Sequence, residues 1–117
     1  MQQVSTIGDM KTLASCINKL VQQGYTEDFK VAENGRLLSL QHERMYKPQE
    51  TEIVNFYRFE GASDPADNSI LYVIETNDGI KGTLTDAYGS YSDPSVTKFI
   101  EEVQSITKKP VKDGNAN

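Results

Sequence analysis

Apolar residues recur at helical spacing near the start of the chain. Met10, Leu13, Ala14, Ile17, Leu20 and Val21 form one stripe, which predicts a helix from about Ile7 to Gln23. Thr6, three residues before Asp9, resembles a capping box with Asp in the Glu role, and Gly24 is a natural C′ stop. The period then drops to two. Asn34-Gly35, set between alternating apolar residues, signals a hairpin. A two-residue turn there pairs Glu33 with Arg36, Val31 with Leu38 and Phe29 with Leu40, all on one face. Residues 41–51 are polar, contain Pro48 and read as a connection. The run Ile53–Phe59 is β-branched and aromatic and predicts a strand. A loop over Gly61–Asn68 follows, with Asp64-Pro65 favouring a turn.

A second hairpin spans Ser69–Asp86 around Asn77-Asp78-Gly79. A two-residue Asp78-Gly79 turn would put Leu71, Val73, Ile80 and Leu84 on one face. A three-residue turn with Gly79 in the left-handed region pairs Thr76 with Ile80, Glu75 with Lys81 and Tyr72 with Leu84. It sets opposite charges across from each other and is the preferred register. Asp93-Pro94 opens the last helix as N-cap and first turn, and Val96, Phe99, Ile100, Val103 and Ile106 make its stripe. From Lys108 the chain has little to bury and reads as a mobile tail. The order helix, strands, helix predicts an α+β fold: an antiparallel sheet of about five strands with both helices packed on one face. Residues 1–107 make one domain and residues 108–117 a disordered tail.

Composition narrows the function without naming it. A chain of 117 residues with net charge −5 and a pI of about 4.8 is one acidic domain, poorly suited to phosphate backbones. One cysteine, Cys16, allows no internal disulfide. Neither a signal peptide nor a bilayer-length apolar run is visible, so a cytoplasmic protein without nucleic-acid or membrane partners is expected. Cys16 reads as a small buried residue beside the helix stripe. His42, the one histidine, has no partner in sight and reads as a surface residue without a catalytic job. No nucleotide-binding glycine motif occurs, and Gly79, Gly82 and Gly89 suit a turn, a close strand contact and a loop. No cofactor is implied.

The richest stretch runs from Arg58 to Asp93. Glu60, Asp64, Asp67, Asp78, Asp86 and Asp93 all sit in or beside turns. Carboxylates in that number can serve a divalent cation, but Asp also fills turns for its own backbone bonding, and the spacing departs from an EF-hand loop. Tyr88 and Tyr91 flank Gly89, and Arg58 and Glu60 alternate with Phe59. A Tyr/Arg surface is what interfaces and small-ligand pockets use. With three consecutive antiparallel strands, the ends at Phe59 and Asp86 share one rim, which brings Arg58 and Asp86 together.

At Tyr57-Arg58-Phe59-Glu60-Gly61, Ser63-Asp64-Pro65, Asp67-Asn68-Ser69, Asp78-Gly79-Ile80-Lys81-Gly82 and Asp86-Ala87-Tyr88-Gly89, with Gly24-Tyr25-Thr26-Glu27-Asp28-Phe29 upstream, the chain resembles a family of small bacterial proteins of unknown function. Some of them carry the label phosphoribosylpyrophosphate synthetase. Enzymes of that activity are much larger, and their acidic pyrophosphate-sugar loop ending in Thr is absent here. The resemblance covers residues 10–105 or so and implies a compact α+β domain, without functional residues to carry over. Two readings follow. One is a non-enzymatic binding or regulatory domain using Arg58, Glu60, Asp64, Asp67, Asp86, Tyr88 and Tyr91 to hold a partner protein or small ligand. The alternative is a metal-dependent enzyme on a phosphorylated or nucleotide-like substrate, with Asp64, Asp67 and Asp86 as ligands.

Overall fold

The structure, a computed structural model, describes residues 12–60, 68–87, 89 and 92–116, with side chains as far as 106. Helix α1 spans Leu13–Gln22. Strands β1 (Glu27–Val31), β2 (Leu37–Ser39) and β3 (Arg44–Tyr46) follow, then a 3-10 turn at Pro48–Glu50. Strands β4 (Thr51–Phe59), β5 (Ser69–Thr76) and β6 (Lys81–Ala87) come next, and helix α2 (Pro94–Ala116) closes the chain. The sheet order is β3-β2-β1-β6-β5-β4. Every neighbouring pair is antiparallel except β1 and β6, which run parallel. The protein is thus α+β, but its sheet is mixed and has six strands rather than about five antiparallel ones. The extra strand, β3, lies in the polar stretch expected to be a connection; only Tyr46 of its three residues is buried. Among the described residues no helix is long and apolar enough to cross a membrane.

The helices lie on opposite faces, which corrects the expectation of one covered face. Val96, Phe99, Ile100 and Val103 of α2 pack on Phe29, Leu37, Tyr46, Ile74 and Leu84. Cys16 and Leu20 of α1 pack on Leu71 and Val73. Along β5, Ile70, Leu71, Val73 and Ile74 are all buried. A strand that is apolar at consecutive positions must be covered twice, because alternate side chains point to alternate faces.

Local chemistry explains the element ends. Thr12 caps α1, accepting from the Ser15 amide at 3.1 Å. The Thr6 box and Met10 lie outside the described residues. At the other end Gly24 has φ +102°, and the amides of Gly24 and Tyr25 return to the carbonyls of Val21 and Leu20, a Schellman stop as expected. The buried line of α1 runs through Cys16 and Leu20; Ile17 is half-buried, and Val21, assigned to the stripe, is 42% exposed. Asp93 caps α2 through the Ser95 amide at 2.8 Å, with Pro94 in the first turn. The helical backbone runs from Pro94 to Ala116.

Both hairpins turn through three residues. The second has the preferred register, with Glu75 opposite Lys81, Tyr72 opposite Leu84, and Gly79 at φ +94°. The first does not have the expected one. Phe29 pairs with Ser39 and Val31 with Leu37, Ala32 donates to the Arg36 carbonyl at 2.8 Å, and of the three turn residues Glu33, Asn34 and Gly35 only Gly35 has positive φ. The added turn residue slips the strand by one, so Leu37 and Ser39 face the core and Leu40 is exposed.

Candidate functional site

The expected rim is where β4, β5 and β6 cross at Arg58, Ile70 and Asp86. Arg58 lies opposite Ile70, and Ile70 opposite Asp86, so the three share one cross-strand row on the face that α2 covers. The next row is Phe56, Tyr72 and Leu84. Helix α2 packs on residues of β1, β2, β3, β5 and β6 and also contacts the edge strand β4. The result is a groove of about 230 Å³, floored by Phe56, Arg58, Ile70 and Tyr72 and walled by Thr97, Ile100, Glu101 and Gln104. Phe56 is 45% exposed there, with the Arg58 guanidinium carbon 5.7 Å from its ring centroid. The Tyr72 ring stands 6.4 Å from that of Phe56, tilted by 50°. A β-bulge between Ile53 and Asn55 sets this row. Without it Phe56 and Arg58 would face α1.

Asp86 reaches the rim but is engaged by the backbone. Both its oxygens accept from the Asp93 amide at 3.2 Å, and Oδ1 also accepts from Ala87 at 2.8 Å. It closes the return from β6 to α2, and burial raises its pKa. Glu60 is exposed just past β4. Asp64, Asp67, Tyr88 and Tyr91 lie outside the described residues. Among the described residues no three His, Cys, Asp or Glu side chains converge as metal ligands.

Asp78 stands at the far end of β5 and ties elements together. Its carboxylate accepts from Arg44 Nη1 and the Tyr46 hydroxyl, each at 2.9 Å, and from Thr76 Oγ1. The Thr76 hydroxyl first, then Tyr46 and Arg44, hold its pKa down at about 2 against burial, which pulls the other way. A lowered carboxylate contributes stability that is complete above its ordinary value of 3.8 and is lost as the pH falls through about 2. Asp78→Asn should therefore lower the melting temperature at neutral pH, and the gap to wild type should close as the pH approaches 2. Parallel melts across that range test it; a gap independent of pH would deny the carboxylate this role.

The sequence reading missed a second polar centre. Glu27 on β1 is 3% exposed. Its carboxylate accepts from Ser39 Oγ, from the Gln41 amide at 2.8 Å and from the His42 amide at 3.3 Å. Nδ1 of His42 lies 2.7 Å from Oε1, which places the neutral ring's proton on Nδ1 and leaves Nε2 as the lone-pair nitrogen. Burial pushes the Glu27 pKa up, but the hydrogen bonds from Ser39, Gln41 and His42 prevail and hold it below the ordinary range. The next residue, Glu43, has φ +56°, a strained conformation for a side-chain-bearing residue. One signal was legible: strand alternation puts Glu27 on the face of Phe29, an ionisable group in line with the core. Its partner His42 could not be found, because β3 was not foreseen and so the β2–β3 turn that carries it was not either. No family model, no curated protein and no solved structure matches this chain.

Proposed function

We propose that this chain is a small non-enzymatic binding domain of the cytoplasm and that its site is the groove between β4 and α2. It holds a small, largely apolar ligand that carries a carboxylate. The observation that carries this reading is the exposed pair of Phe56 and Arg58 beside Ile70 and Tyr72. Aromatic and aliphatic walls with one fixed cation suit an apolar body with an anionic end, and arginine's planar fork matches a carboxylate in bidentate fashion. Strands β4 and β6 end at the same rim, and Glu60, exposed just past β4, is proposed to border the ligand. Asp86 serves the site indirectly by closing the β6–α2 return.

An NMR titration with 3-phenylpropionate tests the reading. Saturable shifts should fall on the amides of Phe56, Arg58, Ile70, Tyr72 and Ile100. Arg58→Ala should weaken binding about tenfold, the value of one charge-assisted contact, while moving stability by only about 0.5 kcal/mol. Shifts that survive Arg58→Ala undiminished would assign binding elsewhere.

A further inference from the structure

Strands β3 and β4 are the two edges of the sheet, and they are not alike. β3 has three residues, and its Arg44 is tied to Asp78. β4 has nine residues, without lysine or proline, and among the described residues no strand lies on its outer side. Open edges are ordinarily kept short or broken by lysine, proline or a bulge. β4 has the bulge at Val54, but from Asn55 to Phe59 it pairs regularly with β5. Val54 and Phe56 are exposed at the middle of the strand. The Phe56 amide donates to the Asn55 side chain at 2.8 Å, an acceptor supplied from within the strand itself. An open row of peptide groups with apolar side chains beside it is a template for another extended segment.

The start of β4 says what that segment carries. Glu52 lies directly opposite Glu75, a like-charge cross-strand pair that costs stability. Glu75 has Lys81 opposite it on β6 and accepts from the Tyr25 hydroxyl at 2.9 Å. Glu52 is exposed, forms no ion pair among the described residues and has the open edge on its other side. Glu50, Glu52 and Glu75 line one polar hollow there, with no lysine or arginine among its lining residues. A strand added to β4 sets a residue opposite Glu52, and a cation in that place would flank the two glutamates on the side away from Lys81. The chain's own net charge of −5 favours a basic partner over a second copy of itself.

From these features we propose that the outer edge of β4 is a docking site for an extended segment of a partner protein, which adds to the six-stranded sheet as a further strand. The segment sets a lysine or arginine opposite Glu52 and, about three or four positions away, an apolar side chain beside Val54 and Phe56. This site does not depend on the groove ligand, because its first contacts are backbone groups of β4.

The test titrates short capped peptides of alternating threonine and valine into the full chain. One carries a single lysine near its N-terminus and one near its C-terminus, to allow for either strand direction. Controls replace the lysine by glutamate or methylate alternate backbone nitrogens. At least one lysine peptide should shift the amides of Glu52–Phe59 and slow their exchange, and its glutamate counterpart should bind roughly fivefold more weakly. N-methylation should abolish binding. Glu52→Gln should weaken the lysine peptide and leave the glutamate peptide unchanged or tighter. Absence of β4 shifts at millimolar lysine peptide would overturn the proposal, as would equal binding of the N-methylated controls. Equal binding of the lysine and glutamate peptides would defeat the basic-partner assignment. Sedimentation of the chain alone supplies the remaining arm: concentration-dependent dimers that Val54→Lys abolishes would give this edge to a second copy and overturn the inference.

Discussion

Gly82→Ala should cost this fold about 3 kcal/mol, the upper range for a forced overpacking. A Cβ at Gly82 would stand 2.1 Å from the Glu27 carbonyl oxygen and 2.6 Å from the Glu27 Cβ. The obstructing atom is backbone in a paired strand, so it cannot swing aside. Gly82 lies directly opposite Glu27 in the parallel β1–β6 pairing, the one joint in the sheet between β1–β3 and β4–β6. Elsewhere a glycine-to-alanine change in a strand is neutral or helpful, because it restrains the unfolded chain; a loss here therefore reports the contact itself. Denaturant melts should show a lower midpoint, and amide exchange should rise in β1 and β2 before it rises in β4 and β5. A variant with wild-type stability would mean that β1 is not seated on β6.

Glu27→Ala should cost a similar amount, about 3 kcal/mol. The substitution strands the Ser39 hydroxyl and the Gln41 and His42 amides, all of which donate to one carboxylate. A buried donor without an acceptor costs about 1–3 kcal/mol each, partly recovered where water can enter beside exposed His42. The effect has a pH signature. The folded pKa of Glu27 lies below its ordinary 4.5, so its contribution is full above that value and is lost as the pH falls through the lowered one. The difference between wild type and variant should be largest near neutrality and shrink on acidification. Exchange at the Gln41 and His42 amides should quicken in the variant. Unchanged exchange there, with a fall in stability, would place the cost elsewhere than the β2–β3 turn.

Much of the architecture was legible because it depends on neighbours in sequence. Gly24 ends a helix by its own backbone freedom, Asp93-Pro94 starts one by capping, and Asn77-Asp78-Gly79 turns a hairpin through one left-handed glycine. The common rim of Arg58 and Asp86 followed from three consecutive antiparallel strands, which connect in order with no choice of partner. The continuous apolar run Ile70–Ile74 also held the answer to the helix placement, since such a strand needs cover on both faces. Other features depend on partners distant in sequence. Nothing local says that β1 joins β6 in parallel, that three residues at 44–46 make a strand, or that a bulge at Val54 turns Phe56 and Arg58 toward α2. Those are settled by whichever contacts bury most surface and satisfy most backbone at once. The same holds for the two polar centres: Glu27 with Ser39 and His42, and Asp78 with Arg44 and Tyr46. Sequence by itself determined the chemistry of each residue and the local turns. Tertiary structure alone decided which charges stand together, because side chains far apart in the chain meet only after the sheet has chosen its order.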